Sequence, residues 1–124
     1  MEPGYKGMDS FQFYAFNLLA NPDARKAAEL YHSIFGFPIL MANESHAELE
    51  IHTGTRLIFS RPKKLCPVEP GTLTLLCKDF FLEGLSEFQI ESKATETYWS
   101  FLDPWNNRIW LYISQELSLT KVQK

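Results

Sequence analysis

One helix, framed at both ends by the residues around it, constrains what the rest of the chain can fold into. Asn21 can serve as an N-cap, Pro22 suits a first helical position and Asp23 complements the positive end of the helix dipole. Ala24, Ala27, Ala28, Tyr31, Ile34 and Phe35 follow at the spacing of one helical face, and Gly36 ends the run. The small alanines predict a helix that lies close against a sheet. Everything else of length reads as strand.

Strands are predicted over Phe11–Leu19, Phe37–Ala42, His46–His52 and Thr55–Ser60. The third alternates cleanly, with Ala47, Leu49 and Ile51 on one face and His46, Glu48, Glu50 and His52 on the other. Thr53-Gly54 reads as a hairpin turn between the last two. Pro62, Pro67, Pro70 and Gly71 mark a connector. A second series follows: Thr72–Lys78, a segment from Phe80 to Ser86 too short for more than a turn or two of helix, then Phe88–Ser92, Thr97–Leu102 and Arg108–Ile113. Ser114–Lys124 is polar and is expected to fray. The order β-α-β-β-β therefore occurs twice, about 11–62 and about 70–113, in one α+β domain spanning 1–124.

Composition narrows the partners. A formal net charge of -3 without a block of Lys and Arg argues against a nucleic-acid partner, because neutralising phosphates takes clustered cations. No apolar stretch reaches the length of a membrane span and no signal-peptide pattern opens the chain. Two cysteines, Cys66 and Cys77, are too few for a disulfide scaffold, so a cytoplasmic protein with reduced thiols is expected. The 15% aromatic share suits a core and also the walls of a small-molecule pocket.

Two local motifs stand out, Ala28-Glu-Leu-Tyr-His-Ser-Ile-Phe-Gly-Phe37 and Phe101-Leu-Asp-Pro-Trp-Asn-Asn-Arg-Ile-Trp-Leu111. The first resembles the first-helix ending, and the second the final hairpin, of the glyoxalase/bleomycin-resistance/extradiol-dioxygenase superfamily. In the hairpin Asn106 stands where the family usually has Gly, a tolerable change because Asn enters left-handed turn conformations readily. The resemblance implies two βαβββ units that build a curved mixed sheet around a concave cavity. It departs in its stunted second helix, whose place Phe80, Phe81, Leu82 and Leu85 are expected to cover.

Many members of that superfamily hold a divalent metal by His, Glu or Gln on the first, fourth, fifth and eighth strands. Counting from Tyr31 and Asp23 puts the first of these positions on Phe16, from Asp79 the fifth-strand one on Leu73 and from Asp103-Pro104 the eighth-strand one on Trp110, while the fourth-strand one falls on Ile58 or, one residue on, Phe59. None has a lone pair to give a metal. The expectation is no metal and no cofactor. His46, Glu48, Glu50 and His52 could supply ligands in principle, but a solvated sheet face explains the same alternation. No nucleophile elbow, P-loop or dinucleotide fingerprint occurs.

The same counting assigns a concave parity: Gln12, Tyr14 and Phe16; Arg56, Ile58 and Ser60; Leu73, Leu75 and Cys77; Arg108, Trp110 and Tyr112. The ligand-binding set expected from it is Tyr14, Phe16, Arg56, Ser60, Leu73, Arg108, Trp110 and Tyr112, with an arginine as anchor if the ligand is anionic. Phe13, Ala15, Leu57, Phe59, Ile109, Leu111 and Ile113 are expected under the helices. The leading functional expectation is a metal-free protein, homodimeric, that binds a small organic molecule in the manner of bleomycin-resistance proteins. A metal-dependent lyase, isomerase or dioxygenase and an interaction protein with a filled cavity are the alternatives.

Overall fold

Asp23, not Asn21, caps the helix: its backbone is extended and its side chain accepts a hydrogen bond from the Arg25 N–H at 3.0 Å. Helix α1 therefore runs Ala24–Phe35 and closes on Gly36, whose φ of 78° is left-handed and whose N–H donates to the His32 carbonyl. Ala24, Ala27, Ala28 and Tyr31 form its buried face. The computed structural model describes residues 11–78, 82–93 and 97–113.

Around α1 the chain forms β1 (Ala15–Leu19), β2 (Ile39–Ala42), β3 (His46–His52) and β4 (Thr55–Ser60). These make one four-stranded sheet in the order β1-β4-β3-β2, in which β1 and β4 are parallel and the other pairs antiparallel. The second series repeats it with β5 (Thr72–Cys77), β6 (Gln89–Lys93), β7 (Tyr98–Leu102) and β8 (Arg108–Ile113), ordered β5-β8-β7-β6 with β5 and β8 parallel. Where the first unit has a twelve-residue helix the second has only a 3-10 turn, Leu82–Leu85. Leu85 is buried in the core, as expected of a residue covering the second sheet. Phe80, Phe81 and the Leu82 side chain, expected beside it, lie outside the described residues, as does Ser114–Lys124.

One core serves both units. α1 packs across β2, β3 and β4, and its alanines meet a layer of Leu18, Leu49, Leu57 and Phe59. Leu73, Phe88, Phe101, Ile109 and Leu111 of the second unit belong to the same buried cluster. Tyr31 links them, with its ring 4.6 Å from Phe59 and 5.7 Å from Phe88.

A polar knot inside this core ties the two units together. Asn107 is fully buried; its Oδ1 accepts the N–H groups of Leu19 and Gly71, both at 3.0 Å, and its Nδ2 donates to the Leu19 carbonyl at 2.7 Å. Asp103 Oδ1 accepts the N–H groups of Trp105 and Asn107, while Oδ2 accepts Asn107 Nδ2 and the Tyr31 hydroxyl at 2.7 Å. Burial first, and then the Asp103 carboxylate, push the Tyr31 phenol far above its ordinary value, so it stays a donor. Asn106 takes the left-handed φ of 71° anticipated for it in the turn between Asp103 and Asn107. Gly71 sits close to the first unit: a Cβ there would come within 2.8 Å of Leu18 Cδ2 and 3.2 Å of the Asn17 carbonyl oxygen, so a side chain would have to displace Leu18.

Candidate functional site

The cross-strand register decides which residues share a face. In the first sheet Phe16 lies beside Leu57, Asn17 beside Ile58 and Leu18 beside Phe59. In the second, Leu73 lies beside Ile109, Thr74 beside Trp110 and Leu75 beside Leu111. Side chains of register partners point the same way. Since Leu57, Phe59, Ile109 and Leu111 are core residues, Phe16, Leu73, Leu75 and Cys77 take the core face, not the face of Trp110. The expected facing of the first and fifth strands is thus corrected by one residue. That of the fourth and eighth stands, since their alternates Leu57, Phe59, Ile109 and Leu111 are buried.

The shift has a physical cause. Between these strands and Asp23 or Asp79 lie connectors, and one residue more or less in a connector inverts every side chain of the strand. Leu73 is 6% exposed, whereas Phe16, on the edge strand β1, remains 47% exposed although it shares the face of Leu57. Ala15 likewise leaves the face expected for it, lying beside Arg56.

The face opposite the core therefore carries Asn17, Ile58, Thr74 and Trp110 as two register pairs at equivalent places in the two sheets. Ile58 and Trp110 have no lone pair for a metal, and an amide with a hydroxyl makes a poor pair of ligands for the divalent ions such a fold would hold. Among the described residues no group of three or more His, Cys, Asp or Glu side chains is arranged to hold a metal. The residues present do not fit a metal centre of the superfamily type.

Each sheet carries one cluster on the side away from its core layer. On the first sheet the Glu48 carboxylate, whose side chain is largely buried, accepts the Tyr14 hydroxyl at 2.9 Å, lies 2.8 Å from His46 Nε2 and pairs with the Arg56 guanidinium. Arg56 also stands over the Tyr14 ring, 5.2 Å from its centroid. The hydrogen bond from His46, followed by those from Arg56 and Tyr14, holds the Glu48 carboxyl down to about 2 despite its burial. Tyr14 and Arg56 are thus brought together, with Ser60 at the far end of β4 opposite His46. Tyr14 reaches Glu48 although it precedes β1.

On the second sheet Tyr98, Trp110 and Tyr112 form an aromatic group. The Tyr98 ring lies 5.3 Å from Trp110 and 5.1 Å from Tyr112 in a T-shaped contact, and Tyr112 is 47% exposed. Beside it Arg108 makes two 2.6 Å hydrogen bonds to the two oxygens of Glu91, and Ser100, the register partner of Trp110, donates to Glu91 at 3.2 Å. Arg108 holds the Glu91 carboxyl below its ordinary value. Sequence reasoning missed Tyr98, Glu91 and Ser100. Alternation in Tyr98-Trp-Ser-Phe-Leu102 puts Tyr98 and Ser100 on one side and the final hairpin sets this strand beside β8, but the cross-strand register is what pairs Ser100 with Trp110 and Tyr98 with Tyr112.

A cavity of about 540 Å³ lies elsewhere, on the core side of the second sheet. Leu75, Cys77 and Leu111 floor it, and Ile34, Phe35 and Leu85 wall it. It sits between the end of α1 and the 3-10 turn, beside the place where the second unit has a short turn in exchange for a helix.

No protein-family model and no curated protein matches this sequence. Solved structures do resemble it. An oxidase, ChaP-H2, aligns over 85% of this chain and 94% of its own at a TM-score of 0.62 and 12% identity. TnmS3, an antibiotic-binding protein from Streptomyces sp. CB03234, aligns over 82% and 94% at a TM-score of 0.55 and 18% identity. A glyoxalase/bleomycin resistance protein from the same organism aligns over 82% and 99% at a TM-score of 0.53 and 19% identity. Likeness at such identities is likeness of fold, and one fold carries an oxidase and a binding protein alike. With two units of equivalent strand order, the first and last strands of each unit paired in parallel, an α-helix and a 3-10 turn at the matching places, and these neighbours, the chain has the glyoxalase/bleomycin-resistance fold.

Proposed function

We propose that this protein binds a planar aromatic small molecule without a metal, on the sheet face built by Trp110, Tyr98 and Tyr112. The observation that carries the proposal is the ring group itself: Trp110 stands on the side of the second sheet away from its core, with the Tyr98 ring 5.3 Å from it and 5.1 Å from Tyr112. A ring at such a place supplies stacking area, and the neighbouring Ser100, Arg108 and Glu91 supply the sparse polar groups that orient a ligand. That TnmS3 is an antibiotic-binding protein supports a binding role on this fold.

A thermal-shift screen of planar aromatics, run with EDTA and with added divalent ions, tests it. The expected result is a rise in melting temperature that EDTA leaves intact and that Trp110→Ala reduces. Loss of one stacked ring corresponds to about 0.5–1.5 kcal/mol, or roughly two- to tenfold in affinity. Stabilisation that appears only with a divalent ion would refute the metal-free reading.

The cavity behind the sheet favours a second place for the ligand, because its volume is that of a small-molecule site and its lining is apolar. A ligand held there would be insensitive to Trp110→Ala and would be excluded by Leu75→Trp, whose larger side chain fills the floor.

A further inference from the structure

Both arginines on the face opposite the core are already bound by carboxylates. Arg108 donates through Nε and Nη2 to the two oxygens of Glu91, the fork-to-fork geometry that suits guanidinium and carboxylate best. Ser100 fixes the same carboxylate from the strand between them. Arg56 stands at the matching place in the first sheet, opposite Ala15 as Arg108 stands opposite Thr72, and it is bound by Glu48. Each arginine thus carries its own counter-charge, and an incoming anion would have to displace a carboxylate that is covalently part of the site.

We propose that Glu91 is a specificity residue: by occupying Arg108 beside Trp110, it selects uncharged planar aromatic ligands over anionic ones. The inference rests on the reading that the Trp110 face is the binding site. It also reverses the expectation that Arg108 anchors an anionic ligand, because a guanidinium whose Nε–Nη2 edge is held by a carboxylate already has its charge compensated and offers less to a second anion. Arg108 and Glu91 are both partly exposed, so the discrimination is moderate.

The test uses two probes of one ring system, 2-naphthol and 2-naphthalenesulfonate, titrated near neutral pH while NMR follows the indole N–H of Trp110. The wild-type chain is expected to bind the naphthol about fivefold or more tightly than the sulfonate. Glu91→Gln frees the charge of Arg108 and should bring the ratio to about one or invert it, and the affinity gained should fall with added salt. Glu91→Asp, which keeps the charge, should keep the preference for naphthol. Arg108→Met leaves the carboxylate alone and should sharpen that preference, which gives a variant moving in the opposite direction. Equal binding of both probes to the wild type, or an E91Q ratio unchanged from it, overturns the role of Glu91 while the aromatic site survives. No shift of Trp110 with either probe, in the wild type or in E91Q, removes the site and the inference together.

Discussion

Asn107→Ala should separate the two units more effectively than any surface change, and its cost follows from the hydrogen bonds it removes. The Asn107 side chain is fully buried and satisfies the Leu19 N–H, the Leu19 carbonyl and the Gly71 N–H, three backbone groups on two different units. Each buried polar group left without a partner costs about 1–3 kcal/mol, and water entering the vacated space recovers part of this. The net expectation is a loss of about 3–5 kcal/mol. For a domain of this size each kcal/mol moves the melting temperature by about 4 °C, so a fall of roughly 12–20 °C should appear in calorimetry. Asn106→Gly next door is the control: Asn106 is exposed with a left-handed φ of 71°, which Gly adopts without strain, so its melting temperature should hold or rise. A fall of less than about 4 °C for Asn107→Ala would refute the view that this side chain joins the two units.

Trp110→Ala should weaken aromatic binding with little loss of stability, whereas Ile109→Ala, which empties a fully buried core position, should cost about 2–5 kcal/mol in denaturant unfolding; the opposite pattern would show the faces to be exchanged. Glu48 sets a pH dependence whose sign is fixed by its lowered value. The unfolded chain takes up that proton near 4.5 and the folded chain only near 2, so the stabilisation is complete above about 4.5 and is lost as pH falls toward 2. Glu48→Gln should lower stability at pH 7 by on the order of 1–2 kcal/mol and flatten this acid limb, as followed by urea unfolding at several pH values. The chain is expected to pair as a homodimer that covers Phe11, Phe13 and Phe16, which are exposed at and before the edge strand β1; sedimentation at a concentration-independent monomer mass would contradict it.

What the sequence disclosed was mostly local. Alternation in His46–His52 separates Ala47 and Leu49, both fully buried, from Glu48 and Glu50, and the alanine stripe of α1 marks its buried face. Asp103-Pro104 fixed the register of β8, because that hairpin is short and its Asp caps its own turn through the Trp105 and Asn107 N–H groups. Parity failed on β1 and β5, where it was carried through connectors whose length the fold leaves free. The pattern Thr72-Leu-Thr-Leu75 already held the better answer, since a strand with one buried face puts leucines, not threonines, into the core. Asn107 lay beyond sequence reading for another reason. Its partners Leu19 and Gly71 are 88 and 36 positions away, and nothing local to the turn signals them.

The metal content of the chain bears most directly on whether this face works without a metal. Purified from cells grown with added zinc, manganese, iron and nickel, and never exposed to chelator, the protein should carry far less than one equivalent of any of them by elemental analysis, because Asn17, Ile58, Thr74 and Trp110 offer no imidazole, carboxylate or thiolate between them. About one tightly held ion per chain, lost together with aromatic binding when Asn17 or Thr74 is replaced by alanine, would contradict it.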